Sequence, residues 1–270
     1  MGCVSTRVSV HNFEHETRWK NLTHLNTVSS TIWVDEARDI VIKRKKRAAL
    51  KGTMTMFSNN HRVMSLPRHR HILFPNYISD IEDGVFSIEM PRAPTDLYEM
   101  ISDTFKLVKV LEQMNGIRDA IHWLHKHDIA HRDVKPENIV YHEERLKLID
   151  FDFCFPLQNN IQCGTECYMY EPSSTETTRG QSRRRDCYAF GKTLLNIMVY
   201  SDVGHRDVLW RLFQTSAHDV AFTELPLFHN ELDKWVAVAC ECCAPLPPME
   251  IPPLPTIARD ATRAANNVTL

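Results

Sequence analysis

The chain has 270 residues, a formal net charge of -2 and 43% hydrophobic residues. This length and apolar content suit one large domain or two lobes with a proper core, and the near-neutral charge gives no sign of nucleic-acid binding. No apolar run approaches the ~18 residues of a membrane-spanning helix, and the start lacks the apolar core of a secretory signal, so we expect a cytoplasmic protein.

The first residues fit an acylation signal. Gly2 with Thr6 matches the N-myristoylation pattern, and Cys3 is placed for palmitoylation beside it. Two acyl chains anchor a protein stably, whereas one binds membranes only marginally. One expectation is therefore a lipid anchor at Gly2 and Cys3 with membrane association; the other is an ordinary start that happens to carry these residues. Residues 1–20 are interpreted as an N-terminal extension.

Eight cysteines occur in this unsignalled chain, which favours reduced thiols. Cys163 with Cys167, and the run at 240–243, could be metal ligands. Neither has a matched second pair at zinc-finger spacing, so buried thiols are the favoured interpretation.

Two strands and a turn are predicted between Leu22 and Lys43. Residues 27–34 are rich in β-branched side chains, residues 35–39 are a polar turn, and residues 40–43 read Ile-Val-Ile-Lys. Lys43 also opens a basic run, for which a solvated face or a nuclear-import patch is the alternative interpretation. The three apolar residues before Lys43 favour a strand that ends in a functional lysine.

Two further elements precede the centre of the chain. Residues 84–91 are typical of a strand that leads into a proline-containing turn. Residues 107–125 give the clearest helical pattern, because apolar residues recur there every three or four positions. These residues are Val110, Leu111, Met114, Ile117, Ile121 and Leu124. We expect this apolar stripe to be core.

The strongest signal is the sequence HRDVKPEN at 131–138, followed by DFD at 150–152. Acidic groups, an amide and a lysine on two nearby loops are the groups that hold a metal-bound triphosphate and aim a hydroxyl at it. The two stretches resemble the catalytic loop H-R-D-L-x-x-x-N and the metal loop D-F-G of the eukaryotic protein kinases, in their serine/threonine form.

This resemblance implies an α+β, bilobal protein kinase-like fold, with a small β-rich N-lobe and a larger, mainly α-helical C-lobe. The N-lobe is predicted at 21–90, the C-lobe at 91–244 and a proline-rich C-terminal end at 245–270. Six prolines exclude a helix from 245–255. A loop is favoured there over a polyproline ligand for a partner protein.

The resemblance also implies roles for five side chains. Asp133 accepts or orients the proton of the substrate hydroxyl, and Lys135 lies against the γ-phosphate of ATP. Asn138 and Asp150 hold Mg²⁺, and Lys43 holds the α- and β-phosphates.

Position alone suggests the residues around the nucleoside. Ile88 is the expected gatekeeper, Glu89 and Met90 form the hinge that binds adenine, and Asp96 lies where a polar side chain meets the ribose. The expected partners are ATP, Mg²⁺ and a protein substrate, with no nucleic acid.

The chain departs from the family at four places. No glycine occurs between Gly2 and Gly52, where a phosphate-binding glycine loop is expected. Counting along the chain puts Asn60 where the αC helix offers a glutamate to the strand lysine. Asp152 replaces the glycine of D-F-G, and Glu171 is displaced by one position from that of A-P-E.

Residues 151–163 contain no Ser, Thr or Tyr. In many kinases the arginine before the catalytic aspartate, here Arg132, binds a phosphate on this segment. We therefore predict a kinase that is not controlled by activation-segment phosphorylation. Asp186 is expected to begin the αF helix and to brace the backbone of the catalytic loop.

Two functions remain in view. One is an active serine/threonine kinase with a degenerate nucleotide-binding N-lobe, since every group that touches metal, γ-phosphate or hydroxyl is present. The alternative is a pseudokinase that acts as a binding or scaffold module, which the departures support. Activity is favoured because the altered parts weaken nucleotide binding and alignment, whereas loss of Asp133 or Asp150 would remove the chemistry itself.

Overall fold

The structure is a computed structural model, and its described part comprises residues 23–26, 30–45, 50–79, 85–101, 107–159, 161–171, 177–201, 206–214, 232–244 and 246–256. The acylation site at Gly2 and Cys3 and residues 27–29 of the glycine-free stretch lie outside these ranges. The lipid anchor and the cytoplasmic location stay proposals. Within the ranges, no helix is both long and apolar enough to cross a membrane.

An antiparallel sheet forms the N-terminal part of the fold. Its spatial order is β1-β2-β3-β5-β4. The strands are β1 (Thr23–Asn26), β2 (Ser30–Asp35), β3 (Ile40–Lys45), β4 (Tyr77–Ile78) and β5 (Ser87–Pro91). The sequence predicts two strands between Leu22 and Lys43, but the structure has three, because residues 23–26 also pair with β2. Their sequence, THLN, has no alternating apolar pattern, so the pairing with β2 decides their conformation.

A helix, α1 (Leu50–Met64), packs on this sheet. Its Phe57 meets Phe86 edge to face, with ring centroids 5.6 Å apart. Phe86 belongs to a small apolar cluster with Ile78 and Ile88, against which residues of α1 also pack. The helix is therefore fixed in position over β4 and β5, and β5 pairs with the strand β3 that carries Lys43.

The C-terminal part is mainly helical, which makes the fold an α+β arrangement of the predicted kind. The helices are α2 (Leu97–Met100), α3 (Leu107–Lys126), α4 (Thr178–Ser201), α5 (Arg206–Gln214) and α6 (Leu232–Cys242). All six apolar residues predicted as core in α3 are at most 2% exposed. The αF helix predicted to begin at Asp186 is α4, and it begins eight residues earlier, at Thr178. The prediction is wrong there because residues 178–185 are mostly polar and show no apolar periodicity.

Two small sheets frame the central loops. One has the order β6-β8-β9, with β6 (Thr95–Asp96), β8 (Ile139–His142) and β9 (Arg145–Leu148). In the other, β7 (Ile129–Ala130) pairs antiparallel with β10 (Phe155–Pro156). The HRDVKPEN stretch therefore runs between β7 and β8, and the DFD stretch follows β9.

Residues 246–256 form neither helix nor strand and lie along α3, as the loop interpretation predicts. Arg118 donates from Nε to the carbonyl oxygens of Ile251 and Pro252, at 3.0 and 2.9 Å. The backbone N–H of Ile251 donates to His122 Nε2 at 3.1 Å. Ile251 itself is 1% exposed, so this segment belongs to the folded core.

Candidate active site

The catalytic loop holds Asp133 in one orientation. Its carboxylate accepts from Asn138 Nδ2 at 2.8 Å, and from both the backbone N–H and the hydroxyl of Thr165, at 3.0 and 2.7 Å. Lys135 Nζ lies 3.0 Å from Asp133 Oδ2 and donates to the Thr165 hydroxyl at 2.6 Å. Three predicted functional side chains are thus joined with Thr165 in a single network, with the Asp133 side chain only 6% exposed.

Asp186 of α4 holds the backbone of this loop. It is 0% exposed and accepts from the N–H groups of His131 and Arg132, at 2.9 and 2.7 Å. His125 Nε2 lies 2.7 Å from the same carboxylate. Burial raises the pKa of Asp186, but these donors outweigh burial and the pKa lies below its ordinary value. The predicted bracing role of Asp186 has this geometric basis.

The metal-loop aspartate faces the strand lysine. Lys43 Nζ lies 2.6 Å from Asp150 Oδ2, which brings β3 and the DFD stretch together. Asp150 has φ 66°, a left-handed conformation that a residue other than glycine adopts rarely, and Arg132 has φ 68°. Such backbone angles concentrate at functional sites, where the surrounding contacts hold them. His131 packs edge to face on Phe151, which brings the two loops into contact.

A second lysine of β3 enters the same site. Lys43 and Lys45 are two residues apart on a strand, so both side chains point to the same face. Lys45 is 1% exposed and forms an ion pair with Asp152 Oδ2. Lys43 Nζ lies 3.7 Å from the same oxygen. Lys43 is the more accessible of the two, at 14% against 2% side-chain exposure, and is therefore the one that faces the cleft.

Two lysines and two aspartates meet in this site. Burial and Asp150 raise the pKa of Asp152, and burial and Lys43 lower the pKa of Lys45. Burial lowers the pKa of Lys43, but Asp150 and Asp152 outweigh it and the pKa is raised. Burial raises the pKa of Asp150, but Lys43 and Lys45 outweigh it and the pKa is lowered. Lys43 and Asp150 are consequently the firmly charged pair at neutral pH.

The residues expected to hold Mg²⁺ suit that ion. Asp150 Oδ1 is buried and has no hydrogen-bond partner among the described residues. The amide nitrogen of Asn138 is bound to Asp133, so its amide oxygen is the atom suited to a metal. No group of three or more His, Cys, Asp or Glu residues suited to a metal occurs within the described ranges. Two oxygen ligands fit Mg²⁺, which keeps several waters and binds substrate phosphates.

Of the residues predicted around the nucleoside, Ile88, Glu89 and Met90 lie on β5, between β3 and β4. Lys43 is directly opposite Ile88 in the pairing of β3 with β5. The Glu89 side chain binds Arg38 at 3.1 Å, and its backbone oxygen accepts from Asn76 N–H at 2.8 Å. The Met90 side chain packs on the apolar cluster beneath α1. The hinge assignment concerns backbone groups and stays a prediction.

Asp96 has a structural task that the sequence interpretation did not include. Its Oδ1 accepts from the Glu99 N–H at 2.8 Å and caps the N-terminus of α2. Burial raises the pKa of Asp96. A contact with the ribose stays a prediction for the second carboxylate oxygen.

Arg132 is held by carbonyl oxygens of the following segment. Its guanidinium donates to Ile161 O at 2.7 Å and Pro156 O at 3.3 Å, and to the Asn159 carbonyl oxygen. It also donates to the Ser182 hydroxyl at 2.9 Å. The donors that would bind a phosphate in a phosphorylated kinase are therefore engaged by the segment itself.

Two residues that matter to the geometry are missing from the sequence interpretation. Thr165 stands outside the two stretches that identify the catalytic loops, yet its hydroxyl links Asp133 to Lys135. Lys45 was assigned to a basic run, although the two-residue period of a strand places it beside Lys43. The role of Thr165 becomes visible only in the folded loop. The position of Lys45 beside Lys43 follows from the strand prediction alone.

Comparison with known proteins agrees with this site. The model of the family described as the protein kinase domain matches residues 25–219. A mimivirus protein (Acanthamoeba polyphaga mimivirus) named provisionally as serine/threonine-protein kinase R436 is 25% identical over 153 residues, which cover 50% of this chain and 54% of that protein. The serine/threonine-protein kinase DCLK1 of Rattus norvegicus is 26% identical over 164 residues, covering 57% of this chain and 37% of DCLK1.

A third relative is more similar over a shorter stretch. MAP kinase-activated protein kinase 2 of Homo sapiens is 40% identical over 81 residues, covering 27% of this chain and 20% of that protein. The chain thus spans about half the length of the first of these relatives and less of the other two.

Proposed function

Because the chain belongs to the protein kinase domain family, we propose that it transfers the γ-phosphate of ATP to serine or threonine hydroxyls of protein substrates. The observation that carries this proposal is the network of Asp133, Lys135, Asn138 and Thr165, with the Lys43–Asp150 pair facing it. Phosphoryl transfer needs positioning and charge neutralisation more than covalent chemistry, and this network supplies both.

Each side chain of the site has a separate role in this reaction. Asp133 accepts the proton of the attacking hydroxyl, while the Thr165 and Asn138 donors keep its carboxylate in place. Lys135 brings a positive charge to the γ-phosphate, and Lys43 binds the α- and β-phosphates while Asp150 orients it. Asn138 and Asp150 would hold Mg²⁺, which neutralises charge on the phosphates.

Activity of this kind does not require phosphorylation of residues 151–163. The carbonyl oxygens of this segment take up the Arg132 donors, and Arg185 adds a bond to Ile161 O at 3.1 Å. The segment is held by neutral acceptors that are always present, so its order does not depend on an added phosphate.

The test is transfer of labelled γ-phosphate to a generic basic protein, with and without Mg²⁺, followed by identification of the modified amino acid. We expect Mg²⁺-dependent label on serine or threonine, and at least an ~100-fold loss in Asp133→Asn. Label on tyrosine alone would contradict the serine/threonine assignment. Equal transfer by both proteins, or none by either, would favour the scaffold alternative.

A further inference from the structure

The helix α1, which packs on the sheet that contains β3, has no carboxylate. No Asp or Glu occurs among residues 50–64, which make up α1. The side chains that α1 turns toward the site are instead Asn59 and Asn60, each 2% exposed. An amide can donate or accept a hydrogen bond, but it brings no charge to orient a lysine.

Both asparagines bind Asp152. Asn60 donates from Nδ2 to Asp152 Oδ1 at 2.9 Å, and Asn59 donates from Nδ2 to the Asp152 carbonyl oxygen at 2.7 Å. The bond from Asn60 fixes the orientation of the carboxylate, and the bond from Asn59 fixes the backbone beside it. The residue at the glycine position of D-F-G is thus anchored to α1 through both its side chain and its backbone.

The other carboxylate oxygen of Asp152 is directed to the lysines. Lys45 Nζ binds Oδ2, and Lys43 Nζ lies 3.7 Å from it. One carboxylate therefore bridges α1 on one side and β3 on the other. This is the connection that a glutamate on α1 would make directly.

The presence of Asp152 also determines which charges surround Lys43. With Asp152 in place, two lysines face two carboxylates, and Lys43 is left to pair with Asp150 at 2.6 Å. Without it, Lys43 would lose the second of its two anions and its connection to α1 through Asp152. Lys43 would then leave the geometry in which it is proposed to meet the phosphates.

We propose that Asp152 is the positioning residue for Lys43, supplying from the DFD loop the anion that α1 lacks, with Asn59 and Asn60 as its supports. This inference rests on the proposed function, because it takes Lys43 as the nucleotide-binding lysine. It also changes the meaning of two departures from the family, since Asn60 and Asp152 compensate each other. The DFD sequence is then required by this chain, and restoring glycine there is harmful.

The experiment measures the Kd for MgATP with a fluorescent nucleotide, together with the unfolding temperature of the nucleotide-free protein. Asp152→Gly is expected to weaken MgATP binding about 10-fold or more. Adding Asn60→Glu, which returns a carboxylate to α1, is expected to recover most of that affinity. Asp39→Gly is the matched control, because Asp39 is exposed, has φ 51° and lies in the β2–β3 turn; it should bind MgATP as the wild type does.

A further double variant separates positioning from simple neutralisation. Lys45→Met with Asp152→Gly removes one positive and one negative charge, so it keeps the net charge of the site. We expect this double variant to fold even if Asp152→Gly alone does not fold. We expect it to bind MgATP about 10-fold or more weakly, because Lys43 has lost its second anion.

Wild-type affinity in Lys45→Met/Asp152→Gly would overturn the proposal, since Asp152 would then only neutralise Lys45. Wild-type affinity in Asp152→Gly, or no recovery on adding Asn60→Glu, would overturn it as well. Absence of MgATP binding by the wild type itself would instead overturn the proposed function, so the two failures are distinguishable.

Discussion

Replacing Asp186 by asparagine should remove much of the stability of the chain. The change keeps the shape of the side chain but removes its charge, and it puts an amide NH₂ where an acceptor stood. Three donors now point at this buried carboxylate, from His131 N, Arg132 N and His125 Nε2. In Asp186→Asn at least one of them faces another donor.

The magnitude follows from these contacts. A hydrogen bond to a charged group contributes about 1.5–3 kcal/mol, and a buried donor left without a partner costs about 1–3 kcal/mol. Together they give a loss of about 3–5 kcal/mol in the free energy of unfolding, out of a typical total of about 5–15 kcal/mol.

Urea denaturation of wild type and Asp186→Asn measures this loss, provided that the slope m is unchanged. Asp119→Asn on α3 is the matched control, because its side chain is 51% exposed and lies 3.5 Å from Arg118 Nη1. The control should change stability by less than about 1 kcal/mol. A loss below about 1 kcal/mol in Asp186→Asn would refute the bracing role.

Three further results are expected. Gly191→Ala should destabilise the packing of α4 on α6 by about 1–3 kcal/mol in urea, because its Cβ would lie 2.6 Å from Cys242 Cβ and 2.9 Å from a backbone oxygen; an unchanged midpoint contradicts this. Phosphatase treatment should leave transfer activity unchanged, whereas a switch in activity on phosphorylation of Thr165 would refute phosphorylation-independent control. Burial and the charge of Arg118 lower the pKa of His122 to about 4 from 6.5, with His125 adding to the effect and Asp119 and Glu250 opposing it. As pH falls from 6.5 to 4, the unfolded chain takes up a proton at His122 that the folded chain does not. The free energy of unfolding of the wild type should therefore fall by up to about 2 kcal/mol relative to that of His122→Gln, after allowance for solvent screening. Parallel curves of stability against pH for the two proteins would contradict this.

The sequence predicted best those features whose signal is local. The 3.6-residue period gives α3, since each of its apolar residues packs on the same side of the helix. The HRDVKPEN and DFD stretches identify the catalytic loops because the chemistry demands those residue types at those spacings. Counting along the chain also placed Asn60 correctly on the helix beside the site.

The rest depends on contacts between distant residues. Asn60 and Asp152 are separated by 92 positions, so their hydrogen bond leaves no trace in either local sequence. In the sequence these two residues are separate departures from the family, and only the fold shows that they are in contact. The strand β1 was missed for a similar reason, since pairing with β2 rather than its own composition makes it a strand. Lys45 is different, because the alternation of a strand already places it on the face of Lys43.

The most direct test of catalysis measures binding and transfer in the same two proteins. Asp133 is assigned to the substrate hydroxyl, whereas the phosphates and Mg²⁺ are assigned to Lys43, Lys135, Asn138 and Asp150. Asp133→Asn should therefore bind MgATP within a few-fold of wild type while its transfer rate falls at least ~100-fold. Retention of the full rate in Asp133→Asn, at unchanged affinity for MgATP, would contradict the assignment of this loop as the catalytic centre.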